Sequence, residues 1–262
     1  MARIGVAATA PFGADVLERL AARHEIAFCL TRPARPRGRG RKVEPPAAAQ
    51  TAERLGIPVV QPERLDASVV LPAETIVLVA YGALVPPALL ARHLWLNVHP
   101  SLLPRWRGAA PVERAIMAGD TDTGVSIIRL VEELDAGPIG AQEAFPVGEC
   151  DAGEVYRRAA EVAARLLDPL PQEFVPQAEE GMTYADKITA ADRVLDSSRP
   201  AEELVRRVRA LSPHIGARTE LQSRPVTVWR AQVGEDGSFE PLDVQPEGGR
   251  RMDYAAWLRG LR

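Results

Sequence analysis

The chain has 262 residues, enough for one or two domains with a real core. Its formal net charge of −3 and its 5% aromatic content exclude a generally basic nucleic-acid binder and wide stacking platforms for single strands. Cys29 and Cys150, with no CxxC spacing, exclude a disulfide framework and a zinc ribbon.

The first twelve residues (MARIGVAATAPF) carry an apolar run too short for a secretory signal. No stretch approaches the roughly 20 apolar residues of a membrane span, so a cytoplasmic protein is expected.

Taken in chain order, Ile4–Ala8 reads as a buried strand that ends at Thr9, Pro11 and Gly13. Residues 14–23 place Val16, Leu17, Leu20 and Ala21 on one helical face. Strands follow at Ile26–Leu30, Val59–Val60, Ile76–Ala80, Leu94–His99 and Gly124–Leu130, with helices at 48–56, from Ala109 onward, and at 151–167. Continuous apolar strands alternating with helices predict a parallel, doubly wound, Rossmann-like α/β sheet. The first turn lacks G-x-G-x-x-G, so a dinucleotide site is not expected.

Residues 168–182 (DPLPQEFVPQAEEGM) hold three prolines and four acids and read as a linker. A helix at Ala201–Leu211 and β-rich runs at 217–221, 225–231 and 239–244 come after it. The expected organisation is therefore a domain over 1–170, a linker over 171–186 and a small, mostly β domain over 187–262.

Asn97 and His99 stand at the end of a predicted strand, two apart, so both side chains leave the same face. In open parallel sheets, ligands bind beyond the carboxyl ends of the strands. Alone, an Asn-x-His pair is more often structural than catalytic. Here it opens the run NVHPSLLPRWRGAAPVERAI at 97–116, which is similar, nearly residue for residue, to the signature of methionyl-tRNA formyltransferases. The wider formyl-folate transferases share a shorter core: Asn-x-His, the proline-bounded loop and a later Asp. That Asp corresponds to Asp135 in the segment Leu134-Asp135-Ala136-Gly137, where the family usually has Thr at the place of Ala136.

The resemblance implies formyl transfer from 10-formyltetrahydrofolate, a co-substrate, to an amine, with Asn97, His99 and Asp135 as catalytic residues. Asn97 would donate to the oxyanion, and His99 would stabilise it and handle protons. Asp135 would favour a charged His99 and order a proton-carrying water. Ser101, Leu102, Leu103 and Pro104 would line the folate pocket, with Tyr81, Gly82, Leu84, Val85 and Pro86 as a second wall. No metal is expected, because His24, His93, His99 and His214 show no ligand spacing.

Thr31–Pro46 (TRPARPRGRGRKVEPP) packs six cations into eleven residues and reads as a flexible basic loop. It resembles the tRNA-contacting loop of methionyl-tRNA formyltransferases, so Arg37, Arg39, Arg41 and Lys42 would bind the acceptor. Thr183–Ile188, Ala210–Pro213, Val226–Trp229 and Gln245–Met252 also have counterparts in that family, whose second domain is a small open, OB-like barrel. Between Ala231 and Pro241 the family has several tens of residues more, so the barrel is expected to be truncated here.

The implied acceptor is initiator methionyl-tRNA, used by a monomer that needs no membrane. The alternative is a transferase acting on an amino sugar or a nucleotide amine, which the contracted domain favours and the basic loop opposes. A formyl-folate hydrolase would usually carry an added N-terminal domain, and none fits before Met1. A tRNA-binding module without catalysis is opposed by the intact trio.

Overall fold

The computed structural model describes residues 1–37 and 42–261. The chain begins with β1 (Arg3–Ala8), α1 (Pro11–Ala21) and β2 (Glu25–Leu30). Helix α1 starts three residues before the expected point because Pro11, whose fixed φ suits a first helical turn, sits at its N-terminus. The expected basic loop is in part a hairpin: β3 (Arg35–Arg37) pairs antiparallel with β4 (Lys42–Glu44), Arg37 opposite Lys42. Of the four expected tRNA contacts, Arg39 and Arg41 lie outside the described residues.

Then come α2 (Ala47–Arg54), β5 (Val59–Val60), β6 (Thr75–Val79), α3 (Pro87–Leu90) and β7 (Leu94–His99). The middle of the chain holds β8 (Arg107–Gly108), α4 (Pro111–Ala118), β9 (Asp122–Arg129), β10 (Ile139–Pro146) and α5 (Ala152–Leu166).

Seven strands form one sheet in the order β10-β9-β7-β6-β1-β2-β5. From β7 through β5 the pairings are parallel, but β9 runs antiparallel to β7. The sheet is thus mixed rather than wholly parallel. A buried apolar strand reads alike in either direction, so the pattern of residues 124–130 did not carry the sense of the strand.

The cluster of Ala7, Phe28, Leu30, Ile76, Tyr81, Leu89 and Trp95 is buried in this sheet region. Trp95 donates its indole N–H to the Leu89 carbonyl at 3.0 Å, which settles the polar end of the largest core side chain.

The remaining elements are β11 (Tyr184–Ala185), α6 (Ala201–Leu211), β12 (Ala217–Leu221), β13 (Arg224–Val233), β14 (Phe239–Pro246), β15 (Met252–Asp253) and α7 (Tyr254–Arg259). Strands β12 to β15 make an open antiparallel sheet of four, joined in sequence order. Its core holds Leu204, Val208 and Leu211 of α6, Val226, Val228 and Val244 of the strands, and Trp257 of α7. Helix α7, with Asp253 accepting from the Ala256 N–H as its cap, has no counterpart among the expected elements. At the place of the contraction, β13 and β14 are joined by a tight turn in which Gly237 donates to the Gly234 carbonyl.

By contacts the chain divides into two compact units. The first comprises Met1–Arg107, Gly124–Ala144 and Arg157–Met182; the second comprises Gly108–Thr123, Phe145–Tyr156 and Thr183–Arg262. The proline-rich stretch read as a linker therefore lies largely within the first unit. Ile139 and Val175 exchange both backbone hydrogen bonds, at 2.8 and 2.9 Å. No helix among the described residues is long and apolar enough to cross a membrane.

Candidate active site

The site is built at the end of β7. Asn97 and His99 are 6% and 4% exposed, although both carry polar heads that burial penalises unless they are paired. The pairing comes from one carboxylate. Asn97 Nδ2 donates to Asp135 Oδ1 at 3.1 Å, and His99 Nδ1 lies 3.6 Å from Asp135 Oδ2. The other ring nitrogen, His99 Nε2, is 2.8 Å from the Trp106 carbonyl. A carbonyl can only accept, so Nε2 carries its hydrogen and Nδ1 is the ring nitrogen that faces Asp135.

Two backbone positions that set this geometry are left-handed: Trp106 has φ 65° and Asp135 φ 49°. Non-glycine residues in that region are strained and gather at functional sites. After Asp135, a Cβ at Gly137 would stand 1.8 Å from the Arg129 carbonyl oxygen, so only glycine lets the turn close against β9.

The loop 99–107 is held from beneath. Ser101 Oγ donates to the Arg105 carbonyl at 2.7 Å. Ser126, wholly buried on β9, donates to the Ser101 carbonyl at 2.7 Å and accepts from the Leu103 N–H at 3.1 Å and from Gln142 Nε2 at 2.7 Å. One donor and two acceptors are the full capacity of a hydroxyl. Gln142 also donates to the Leu103 carbonyl at 3.0 Å. The Leu103–Pro104 peptide is cis. Above the loop, the Arg105 guanidinium stacks 4.5 Å over the Trp106 ring.

Arg107 is buried and forked onto Gln177: its Nε and Nη2 donate to Gln177 Oε1 at 3.1 and 2.8 Å. Gln177 Nε2 in turn donates to the Asp135 and Gly137 carbonyls at 2.7 and 2.8 Å. Glu133 stands 3.6 Å from Arg107 Nη1.

Among the expected folate residues, the Ser101, Leu103 and Tyr81 side chains are buried and face protein. Tyr81 belongs to the sheet's core, where burial pushes its phenol up. Its carbonyl accepts from Thr9 Oγ1 at 2.8 Å, and Arg32 donates to the Gly82 carbonyl at 3.0 Å. Leu102, Pro104, Val85 and Pro86 are half-buried, and Leu84 is 86% exposed. The accessible apolar surface of these segments thus belongs to Leu84 and its neighbours, not to Tyr81.

Of the tRNA candidates, Arg37 and Lys42 contribute their backbones to the hairpin. Among the described residues, no group of three or more His, Cys, Asp or Glu side chains could hold a metal ion. Two further histidines are spent on the fold: His24 Nε2 meets the Leu167 carbonyl at 3.0 Å, and His93 Nδ1 meets that of Ala73 at 2.8 Å.

Sequence reasoning missed Ser126, Gln142, the Trp106 carbonyl and Gln177. The one usable signal was a serine inside the apolar run of the strand GVSIIRL, which must find partners once buried. Nothing in the proline- and acid-rich stretch singled out Gln177.

An amide, an imidazole and a carboxylate converging on the end of a Rossmann-like strand suit acyl-group transfer through an oxyanion. Residues 3–168 match the family model described as Formyl transferase, residues 187–241 match that of its C-terminal domain, and the chain belongs to this family. The Methionyl-tRNA formyltransferase of Paracoccus denitrificans (strain Pd 1222) is 39% identical over 285 residues, which cover 97% of this chain and 95% of that one. The protein of the same name from Halorhodospira halophila (strain DSM 244 / SL1) is 40% identical over 302 residues, covering 100% and 97%. That alignment is longer than the 262-residue chain, so part of the relative has no counterpart here. Among solved structures, the Methionyl-tRNA formyltransferase from Clostridium thermocellum shares the fold at a TM-score of 0.65 and 15% identity, covering 94% of this chain and 99% of that one.

Proposed function

We propose that this protein transfers the formyl group of 10-formyltetrahydrofolate to the free amino group of methionine on initiator tRNA, producing N-formylmethionyl-tRNA for translation initiation. The observation that carries the reading is the single Asp135 carboxylate held between Asn97 and His99 at the end of β7. Identity over nearly the whole length to two proteins named for this reaction selects the acceptor.

In the reaction, the methionyl nitrogen bonds to the formyl carbon, the carbonyl oxygen becomes an oxyanion, and the bond to the folate nitrogen then breaks. A proton must leave the amine and reach the folate nitrogen. Asn97 Nδ2 has two hydrogens, so one can hold Asp135 while the other faces the oxyanion; one such donor is worth roughly 3–4 kcal/mol of barrier. His99, fixed at Nε2 by Trp106, brings positive charge to the site when Nδ1 is protonated. Asp135 steadies that charge and orders a water that relays the amine proton. Holding two large substrates together supplies much of the rest.

On this reading 1–170 is the catalytic domain, with most of the following stretch fastened to it through Val175 and Gln177, and 187–262 supports tRNA binding. Backbone groups of 101–104 and the surface of Leu84, Val85 and Pro86 take the folate. Arg37, Arg39, Arg41 and Lys42 grip phosphates of the tRNA, and the protein works as a cytoplasmic monomer.

The test is direct. The purified protein is given 10-formyltetrahydrofolate with either methionyl-tRNA or amino-sugar nucleotides, and formylated product is counted. Formylation of methionyl-tRNA is expected, with His99→Ala and Asp135→Ala each lowering kcat by about a thousandfold or more. Turnover confined to the small amines would overturn the acceptor, and near-wild-type turnover in either variant would overturn the mechanism.

A further inference from the structure

We propose that Gln177 is a positioning residue of formyl transfer: its amide clamps the Asp135–Gly137 turn to the buried Arg107 and so sets where the Asp135 carboxylate stands. This rests on the function proposed above and names a residue outside the Asn97, His99 and Asp135 trio. All four hydrogen-bonding positions of the amide are used: two donated bonds to the Asp135 and Gly137 carbonyls, two accepted from Arg107.

Each partner bears on the chemistry. The Asp135 carbonyl belongs to the residue whose carboxylate holds Asn97 and His99, at a left-handed φ of 49° that must be enforced from outside. Arg107 closes the loop whose Trp106 carbonyl fixes His99 Nε2. Gln177 therefore joins the two segments that grip His99 from opposite ring nitrogens.

The clamp is itself anchored. Two residues earlier, Val175 exchanges backbone hydrogen bonds with Ile139 on β10, and Phe174 lies 5.5 Å beneath the Arg129 guanidinium of β9. The segment is thus fastened to the catalytic sheet on both sides of the Asp135 turn. A shift of about 1 Å in a catalytic group can cost a hundredfold in rate, so a clamp of this kind matters to kcat more than to binding.

Gln177→Glu separates the two halves of the amide. Its carboxylate keeps an acceptor for Arg107, so the buried guanidinium stays paired, but it sets an oxygen against two carbonyls that need a donor. Gln177→Asn, neutral but one methylene short, is the second variant. In steady-state formylation of methionyl-tRNA, both are expected to lower kcat about tenfold or more and to leave KM for 10-formyltetrahydrofolate within about twofold. Introduced into Asp135→Asn, the same changes are expected to cost less than about twofold, because the group they position is already lost. Thermal midpoints taken alongside separate a loss of fold from a loss of rate. An active wild type with kcat unchanged in both variants, or with the full cost persisting in the Asp135→Asn background, overturns this inference and leaves the functional reading intact. A wild type that does not formylate methionyl-tRNA overturns that reading instead.

Discussion

Asp135 serves two buried neighbours with one oxygen each, which makes the site sensitive to charge at Asn97. An Asn97→Asp substitution keeps the shape and places two carboxylates about 3 Å apart among largely buried groups. Both cannot ionise there, so one folded-state pKa must rise. A raised carboxyl pKa gives destabilisation that is full above the raised value and fades as pH falls through it toward the ordinary carboxylate range. The expected result is a kcat about a hundredfold lower near neutral pH and a depressed thermal midpoint that returns toward wild type in mild acid. A midpoint difference that does not change with pH would show that the carboxylates do not face each other. At this scale the sequence exposed Asn97 and His99 through their spacing on a strand. Asp135 came only from resemblance to a known motif, because nothing local announces that a turn 36 positions beyond His99 returns to it. Gln177 was hidden because its value lies in two carbonyls and a guanidinium that only the fold assembles.

At the level of elements, apolar runs gave β1, β2, β6 and β7 because fully buried strands need little else. The hairpin of β3 and β4 escaped because prolines and arginines suppress a strand pattern, and β10 escaped because one face is partly exposed. Polar ties between elements were equally invisible. In the second unit, Arg114 of α4 makes a forked pair with Asp192 at 2.7 and 3.1 Å, and Asp192 also accepts from the N–H and Oγ1 of Thr189, each at 2.8 Å. The Arg114 guanidinium, with those two hydrogen bonds, holds the Asp192 carboxyl well below its usual range. A depressed folded pKa contributes stability that is present above the unfolded value and lost as pH falls toward the folded one. Asp192→Asn should therefore cost about 1–3 kcal/mol at neutral pH and progressively less in strong acid, read from denaturant midpoints. Equal destabilisation of the variant at every pH would show that the carboxylate's charge is not what ties α4 to this segment. Glu113, on the same helix, behaves oppositely. Burial pushes its carboxyl up, despite the hydroxyl of Tyr156 donating at 3.1 Å and the nearby Arg114 and His214. Glu113→Gln should raise the thermal midpoint near neutral pH by a few degrees at most, and the gain should vanish below the normal glutamate range. A gain that persists there would argue for packing rather than charge.

Over the whole molecule, a net charge of −3 sets the terms on which RNA can be held. Long-range attraction from an acidic protein is weak, so affinity for a polyanion must come from a few concentrated cations. The densest concentration is Arg32 to Lys42, six cations in eleven residues, and the described ends of this stretch are braced as a hairpin by Arg35–Glu44 and Arg37–Lys42 pairing. The contraction between β13 and β14 leaves the sheet of the second unit with four strands, and so puts more of the demand for tRNA on that basic stretch. Each phosphate neutralised releases counterions and steepens the fall of log K with log salt by about 0.7–0.9. Replacing Arg37, Arg39, Arg41 and Lys42 together by Ala should therefore flatten the salt slope for methionyl-tRNA by about 3 and raise KM for tRNA at moderate salt. KM for 10-formyltetrahydrofolate should stay within about twofold, because the trio and its clamp involve none of these residues. An unchanged slope would place the phosphate contacts elsewhere. A slope that flattens together with a lost folate KM would show that the hairpin shapes the catalytic unit and not only its acceptor.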